Sequence, residues 1–358
     1  MKRFVACLTL SLCLGAASRA ASDLVINEIM YHPFHTAAQA EDTGREWIEI
    51  LNRGTNTINL TGWRLAKGID FTFTNGTLAP GSYVVVAASR ASFLATYPGV
   101  TNVVGDWTGH LGNTDDSIKL LNPIGEEVNR VAYADSGDWA VRARESADAY
   151  GLRGWDWLAP HDGGGFTLEL INPNMPNLYG QNWSASTTAN GTPGAVNSVF
   201  ATNSAPFIQE VSFFPLVPRS VDNVTIKATI EDELTEGVTV TLFYRNATTV
   251  NPPAFTPLSM YDDGAHGDGR AGDGIFAAVL PPQTNRAVIE FYVAASDSDG
   301  RTRSWPAPSR NAPDLGGGIL PPETGANATY QVDDGTYGGT QPFYRLIMKC
   351  SQNLDHLR

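Results

Sequence analysis

The sequence predicts an all-β protein: two tandem immunoglobulin-like β-sandwiches joined by short linkers. Three observations carry that prediction. Charged residues make up only 17% of the chain while Gly (35) and Pro (22) are plentiful, the balance of a turn-rich β protein. Short apolar runs alternate with turn residues through two long stretches. Between them lies "SVFATNSAP" (198–206), small, polar and Pro-ended, which reads as a linker. A length of 358 residues suits two or three domains.

The first 21 residues read as a cleavable secretory signal. Lys2 and Arg3 form a positive end, residues 4–17 are mostly apolar, and "ASRA" supplies a small-x-small cleavage pattern. The apolar run is too short to cross a bilayer comfortably, and no other run reaches spanning length. The expectation is a mature chain starting near Ala21, secreted or at the cell surface, without a membrane span. Cleavage would remove Lys2, Arg3 and Arg19 but no acid, taking the formal charge from −13 to −16. So acidic a surface repels DNA, RNA and anionic lipid, so nucleic acid is not an expected partner. Cleavage would also remove Cys7 and Cys13, leaving Cys350 without an internal disulfide partner.

Along the first stretch, "LVINEIMY" (24–31), "EWIEIL" (46–51), "INLTGWRL" (58–65), "SYVVVAAS" (82–89), "SIKLLN" (117–122), "VNRVAYA" (128–134) and "FTLELIN" (166–172) read as strands. Only "SRASFLATYP" (89–98) looks helical. Within 58–65, Gly62 is expected to mark a bulge that turns Trp63 into the core. Trp47, Trp63 and Trp183 are expected core anchors. The second stretch has period-two alternation in "NVTIKATIED" (223–232), "GVTVTLFYRN" (237–246) and "AVIEFYVAASD" (287–297). The expected domains are therefore 23–198 and 206–305, each able to fold alone, with 199–205 as the hinge. Residues 306–342, with six Pro and seven Gly, read as an extended linker. "FYRLIMK" (343–349) begins another apolar run, so 343–358 is expected to be the truncated start of a third domain.

In order, "LVINEIMYHP", "EWIEILNRGTNTINLTGWRL", "TLAPGSYVVVA", "DGGGFTLELINP" and "GTPGAVN" resemble the lamin-tail domain over about residues 23–198. That resemblance implies an immunoglobulin-type sandwich used for contacts, without a catalytic centre. Residues 206–305 resemble the immunoglobulin-like module that follows lamin-tail domains in large secreted bacterial proteins. "QPFYRLIM" resembles the start of a spore-coat-protein-H-like kinase domain, but "KCSQNLDHLR" departs from it at once and the kinase body is missing.

Chemistry-bearing motifs are few. No P-loop, G-x-S-x-G, H-E-x-x-H or C-x-x-C occurs. His32 and His35 flank Pro33 at the end of a strand and read as surface-loop residues. Glu46 and Glu49 fall on opposite faces of a regular strand, so no paired-carboxylate site is indicated there. The densest stretch is "DDGAHGDGRAGDG" (262–274). Its match to G-x-G-x-x-G is followed by "IFAAVLPP", β-suited rather than helical, so a dinucleotide loop is excluded. An EF-hand is excluded because no Glu stands twelfth from Asp262, Asp263 or Asp268. Two readings stay open: a hairpin loop built on Asx turns, with His266 pointing outward, or a loose Ca²⁺ site made by Asp262, Asp263, Asp268 and Asp273. No other cofactor and no catalytic residue is expected.

These readings converge on a secreted, non-catalytic binding, adhesion or structural module, the N-terminal accessory part of a larger extracellular protein. Its partner is expected to be a protein or an extracellular polysaccharide. Two alternatives stand beside it: a truncated fragment of a spore-coat-protein-H-like atypical kinase, and the polysaccharide-binding accessory region of an extracellular hydrolase.

Overall fold

A computed structural model describes residues 23–336, except 37, 39, 235, 250 and 322–326. The expected signal (1–21) and third-domain start (343–358) lie outside the described residues. Strand takes 39% of the described residues and helix 6%, which makes the fold all-β.

The first sandwich packs a six-stranded sheet on a five-stranded one. The six-stranded sheet runs, edge to edge, Trp183–Ala185, Leu168–Leu170, Leu24–Met30, Trp47–Asn52, Tyr83–Ala87 and Val103–Gly105, antiparallel except for the last pair. The other sheet runs Glu127–Ala134, Asp115–Leu121, Arg64–Ala66, Ile69–Thr72 and Thr108–Gly109. Their shared core takes Ile48 and Ile50 from one sheet and Leu65, Ile118, Leu120 and Val131 from the other, at alternate positions as period two requires. In the Leu24–Met30 strand the pairing register shifts between Ile26 and Glu28. That bulge lets Ile26 and Ile29, three apart, both reach the core and turns Glu28 to the outer face.

The outer face of the six-stranded sheet is also covered, which is why Leu24–Met30 and Trp47–Asn52 are buried along their whole length. Over one half lies the helix Arg90–Thr96, started by the Ser89 side chain, which accepts the Ser92 N–H. Its Phe93 packs edge-on against the fully buried Trp47 at 5.9 Å. Over the other half runs the strap 188–199, tied to the helix end by the Tyr97 hydroxyl donating to Asn190 O.

One local expectation is corrected. The run 58–65 is not a strand with a bulge. It breaks into Ile58–Asn59 and Arg64–Ala66, which pair in different sheets, because Gly62 adopts φ +84° in a tight turn. Trp63 is only partly buried against the core, whereas Trp183 is 5% exposed.

The second sandwich opposes a three-stranded sheet (Phe207–Phe214, Val224–Glu231, Ile275–Leu280) to a five-stranded one. The latter centres on Val288–Ser296, with Thr239–Asn246 and Thr256–Met260 on one side and Thr302–Trp305 and Ala328–Gln331 on the other. Val224, Ile226, Ala228 and Ile230 alternate inward into a core separate from the first. Two further differences from the sequence reading follow. Ala328–Gln331 pairs with Val288–Phe291, so 306–342 is not simply an extended linker. Within it, Arg310 turns back to the first sandwich, its N–H donating to Arg142 O and its carbonyl accepting from Arg144 N–H. The short 199–205 segment is flanked by contacts across the junction: Gln181 exchanges two hydrogen bonds with the Ile208 backbone, and Arg303 donates to Pro206 O and Gln181 O.

Candidate functional site

The aspartate loop crosses between the two sheets of the second sandwich, from Thr256–Met260 to Ile275–Leu280, with one bridge at Tyr261–Ala277. It is therefore an intersheet crossing rather than a hairpin within one sheet, and a strand, not a helix, follows the glycines. Gly264, Gly267, Gly269, Gly272 and Gly274 all have positive φ, from +73° to +123°. The aspartates face backbone donors. Asp262 accepts the N–H groups of Gly272, Asp273 and Gly274; Asp263 accepts from Ala265 N–H and His266; Asp273 accepts from Arg270 and Ile275 N–H. Asp268 is 1% exposed and accepts Gly264 N–H at 2.6 Å through Oδ2, which holds its carboxyl below the usual range. Its Oδ1 is buried without a hydrogen-bond partner. His266 stacks on the exposed Tyr261 ring, centroids 4.5 Å apart, and its side chain stays 42% exposed at the surface. Among the described residues no group of three or more His, Cys, Asp or Glu side chains is placed to hold a metal ion. The loop thus brings the four aspartates together in sequence but spends their oxygens mainly on its own backbone.

His32 and His35 are not free loop residues. Their rings stack 4.8 Å apart at 22°, and His32 Nδ1 bonds Asp162. Ring-nitrogen lone pairs lie in the ring planes, so two near-parallel stacked imidazoles do not converge on one ion.

Sequence reasoning missed a row of carboxylates. Glu169, Glu28 and Glu49 stand on three adjacent strands, paired in register Glu28–Glu169 and Glu28–Glu49, and all three are 0% exposed. The strap 188–199 seals them. Glu28 Oε1 accepts from the Thr167 hydroxyl (2.6 Å) and Thr192 N–H (2.9 Å). Glu49 accepts from Asn27 Nδ2 (3.0 Å) and Gly194 N–H (2.5 Å). Glu169 accepts from the Ser198 hydroxyl and Val199 N–H. Gly191 passes so close that a Cβ there would lie 2.1 Å from Glu28 Oε1, and its φ is +73°. None of the three enters an ion pair among the described residues. Burial, then the neighbouring Glu49, pushes the Glu28 carboxyl well up, and burial pushes Glu49 up to about 8. The hydrogen bonds agree with a bound proton. Thr192 Oγ1 has one hydrogen and lies 2.9 Å from Glu169 Oε1 and 3.4 Å from Glu28 Oε2. It can donate to only one of them, so the other contact is attractive when Glu28 carries a proton and donates it. Glu46 keeps to the opposite face, as its spacing requires, where it accepts Leu111 N–H and burial pushes it up to about 8. The row was hidden because its members come from three distant runs and meet only across strands.

A second unforeseen feature is exposed. The Val141–Arg144 and Trp155–Leu158 strands form an isolated two-stranded ribbon. Register places Arg144 opposite Trp155 and Arg142 opposite Trp157, so all four share one face. The guanidiniums of Arg142 and Arg144 lie 4.5 and 5.3 Å from the Trp155 ring centroid. Trp155 and Trp157 remain 37% and 41% exposed. The ribbon is braced by the Arg310 backbone and by the Arg153–Asp314 ion pair.

Residues 17–135 match the family model of the Lamin Tail Domain, which has an immunoglobulin-like fold. The matched stretch ends before the Leu168–Leu170 and Trp183–Ala185 strands that complete the same sheet, and before the ribbon. No curated protein matches the chain.

Proposed function

We propose that the chain is an extracellular binding module without catalytic activity of its own, and that it makes its contacts through the ribbon on its first sandwich. The braced Arg142/Arg144/Trp155/Trp157 face, its two rings exposed and its two arginines half-buried, carries this reading: large rings and guanidiniums are the side chains that dominate contact energetics. The immunoglobulin-like fold of the lamin tail domain supports it. So does the sealing of Glu28, Glu49 and Glu169, whose raised pKa values would suit acid–base chemistry but whose side chains face no solvent. The charge and apolar layout of residues 1–21 supports export.

Material recovered from the culture medium should begin near Ala21 by intact mass and should show no ATP consumption and no glycoside or ester hydrolysis. A retained Met1, or turnover that disappears when one of the buried acids is replaced, overturns the reading.

A further inference from the structure

We propose that the ribbon face binds an acidic polysaccharide in which a uronate or sulfated sugar recurs among neutral ones. This rests on the binding-module reading and names its ligand class.

Neither Arg142 nor Arg144 enters an ion pair among the described residues, although the chain carries a formal charge of −13. Arg153, close by in sequence, is satisfied by Asp314. A guanidinium lying against an aromatic ring keeps its N–H edge available, and that planar fork matches a carboxylate or sulfate. Trp155 fixes both forks on one side of the ribbon. Trp157, directly opposite Arg142, has no aromatic or cationic neighbour on its ring among the described residues and is 41% exposed. A flat amphipathic ring of that kind suits the C–H face of a pyranose. A sugar seated on Trp157 puts an acidic substituent within reach of Arg142, and the next acidic sugar can meet Arg144.

Single-stranded nucleic acid also uses stacking platforms beside cations. It is disfavoured because it carries a charge at every unit and needs a basic groove along its backbone. Here two guanidiniums stand on an acidic chain, a local contact rather than a long-range attractor. A sparsely charged glycan meets the forks without that repulsion.

The test is calorimetric titration of the full chain with hyaluronan and unsulfated chondroitin, in which a uronate alternates with a neutral sugar, beside neutral laminarin and oligothymidylate. The expected result is binding to the first two, weakened by added salt. Arg142→Gln/Arg144→Gln should weaken binding about tenfold or more and flatten its salt dependence. Trp157→Ala should weaken it by a comparable factor. Both sites are at the surface, so the melting temperature should be unchanged. Laminarin bound as tightly through Trp157 would overturn the acidic class and leave the binding module standing. Tighter binding of oligothymidylate, or acidic-glycan binding that survives both variants, would overturn the site. Binding of none of the polysaccharides overturns the inference, while the binding-module reading is judged separately by the N-terminus and turnover assays above.

Discussion

The two sandwiches bury glutamates in opposite ways. In the second, Glu290 is 0% exposed and is met by Arg245 at 2.7 Å, the guanidinium itself lying 4.1 Å over the Phe255 ring. Asn327 donates to its other oxygen. In the first, Glu28, Glu49 and Glu169 are buried with hydroxyls, amides and backbone N–H groups but, among the described residues, no cation. A buried carboxyl can be accommodated either by a charge partner or by a proton, which removes the charge. The choice makes the first sandwich sensitive to alkali and the second sensitive to loss of one cation.

Removing that cation is the largest effect expected. Arg245→Ala takes the guanidinium from the buried Glu290 and should cost the second sandwich about 3–5 kcal/mol. It is read as faster hydrogen exchange across Val224–Glu231 with little change across Leu24–Met30. A cost near zero would mean that the burial of Glu290 does not depend on the Arg245 guanidinium. Next comes Glu49→Ala, which strands Gly194 N–H and one Asn27 amide hydrogen and should cost the first sandwich about 2–3 kcal/mol. Seven of the eight tryptophans lie in that half of the chain, so the denaturation midpoint by fluorescence follows it.

The pH response sharpens the contrast further. Burial raises Glu49 from 4.5 to about 8, so the folded chain holds a proton that the unfolded chain has released across that window. Its contribution is present at the acidic end and is lost as pH rises through 8. The fluorescence midpoint should therefore fall between pH 5 and pH 9. Glu28→Gln, which keeps an acceptor for Thr192 N–H and offers an amide to the Thr192 hydroxyl, should flatten that fall. An equal slope in the variant would show that Glu28 holds no proton in the folded chain.

The smallest effects belong to the aspartate loop. Asp262→Ala releases the Gly272, Asp273 and Gly274 N–H groups at a partly exposed site and should cost about 1–2 kcal/mol. With most of the loop's carboxylate oxygens already on N–H donors, millimolar Ca²⁺ should leave the melting temperature unchanged. A calcium-dependent rise abolished by Asp268→Asn would instead recruit the unpartnered Asp268 Oδ1.

The sequence by itself determined what period, turn chemistry and spacing determine. Alternation in 224–230 placed an inward face, 89–98 stood out as the one helical run, and the glycines of 262–274 marked corners where L side chains are strained. It also separated Glu46 from Glu49, since successive residues along one strand alternate faces. Only the tertiary structure decided what meets across strands. Glu169 reaches Glu28 from more than a hundred residues away, and Trp157 reaches Arg142 around a long hairpin. A stretch rich in Pro and Gly carries Arg310 back to the ribbon and Ala328–Gln331 into a sheet. The physical reason is that local sequence fixes backbone preference and side-chain parity, whereas strand order and register are fixed by burying both cores at once, and no single segment encodes that.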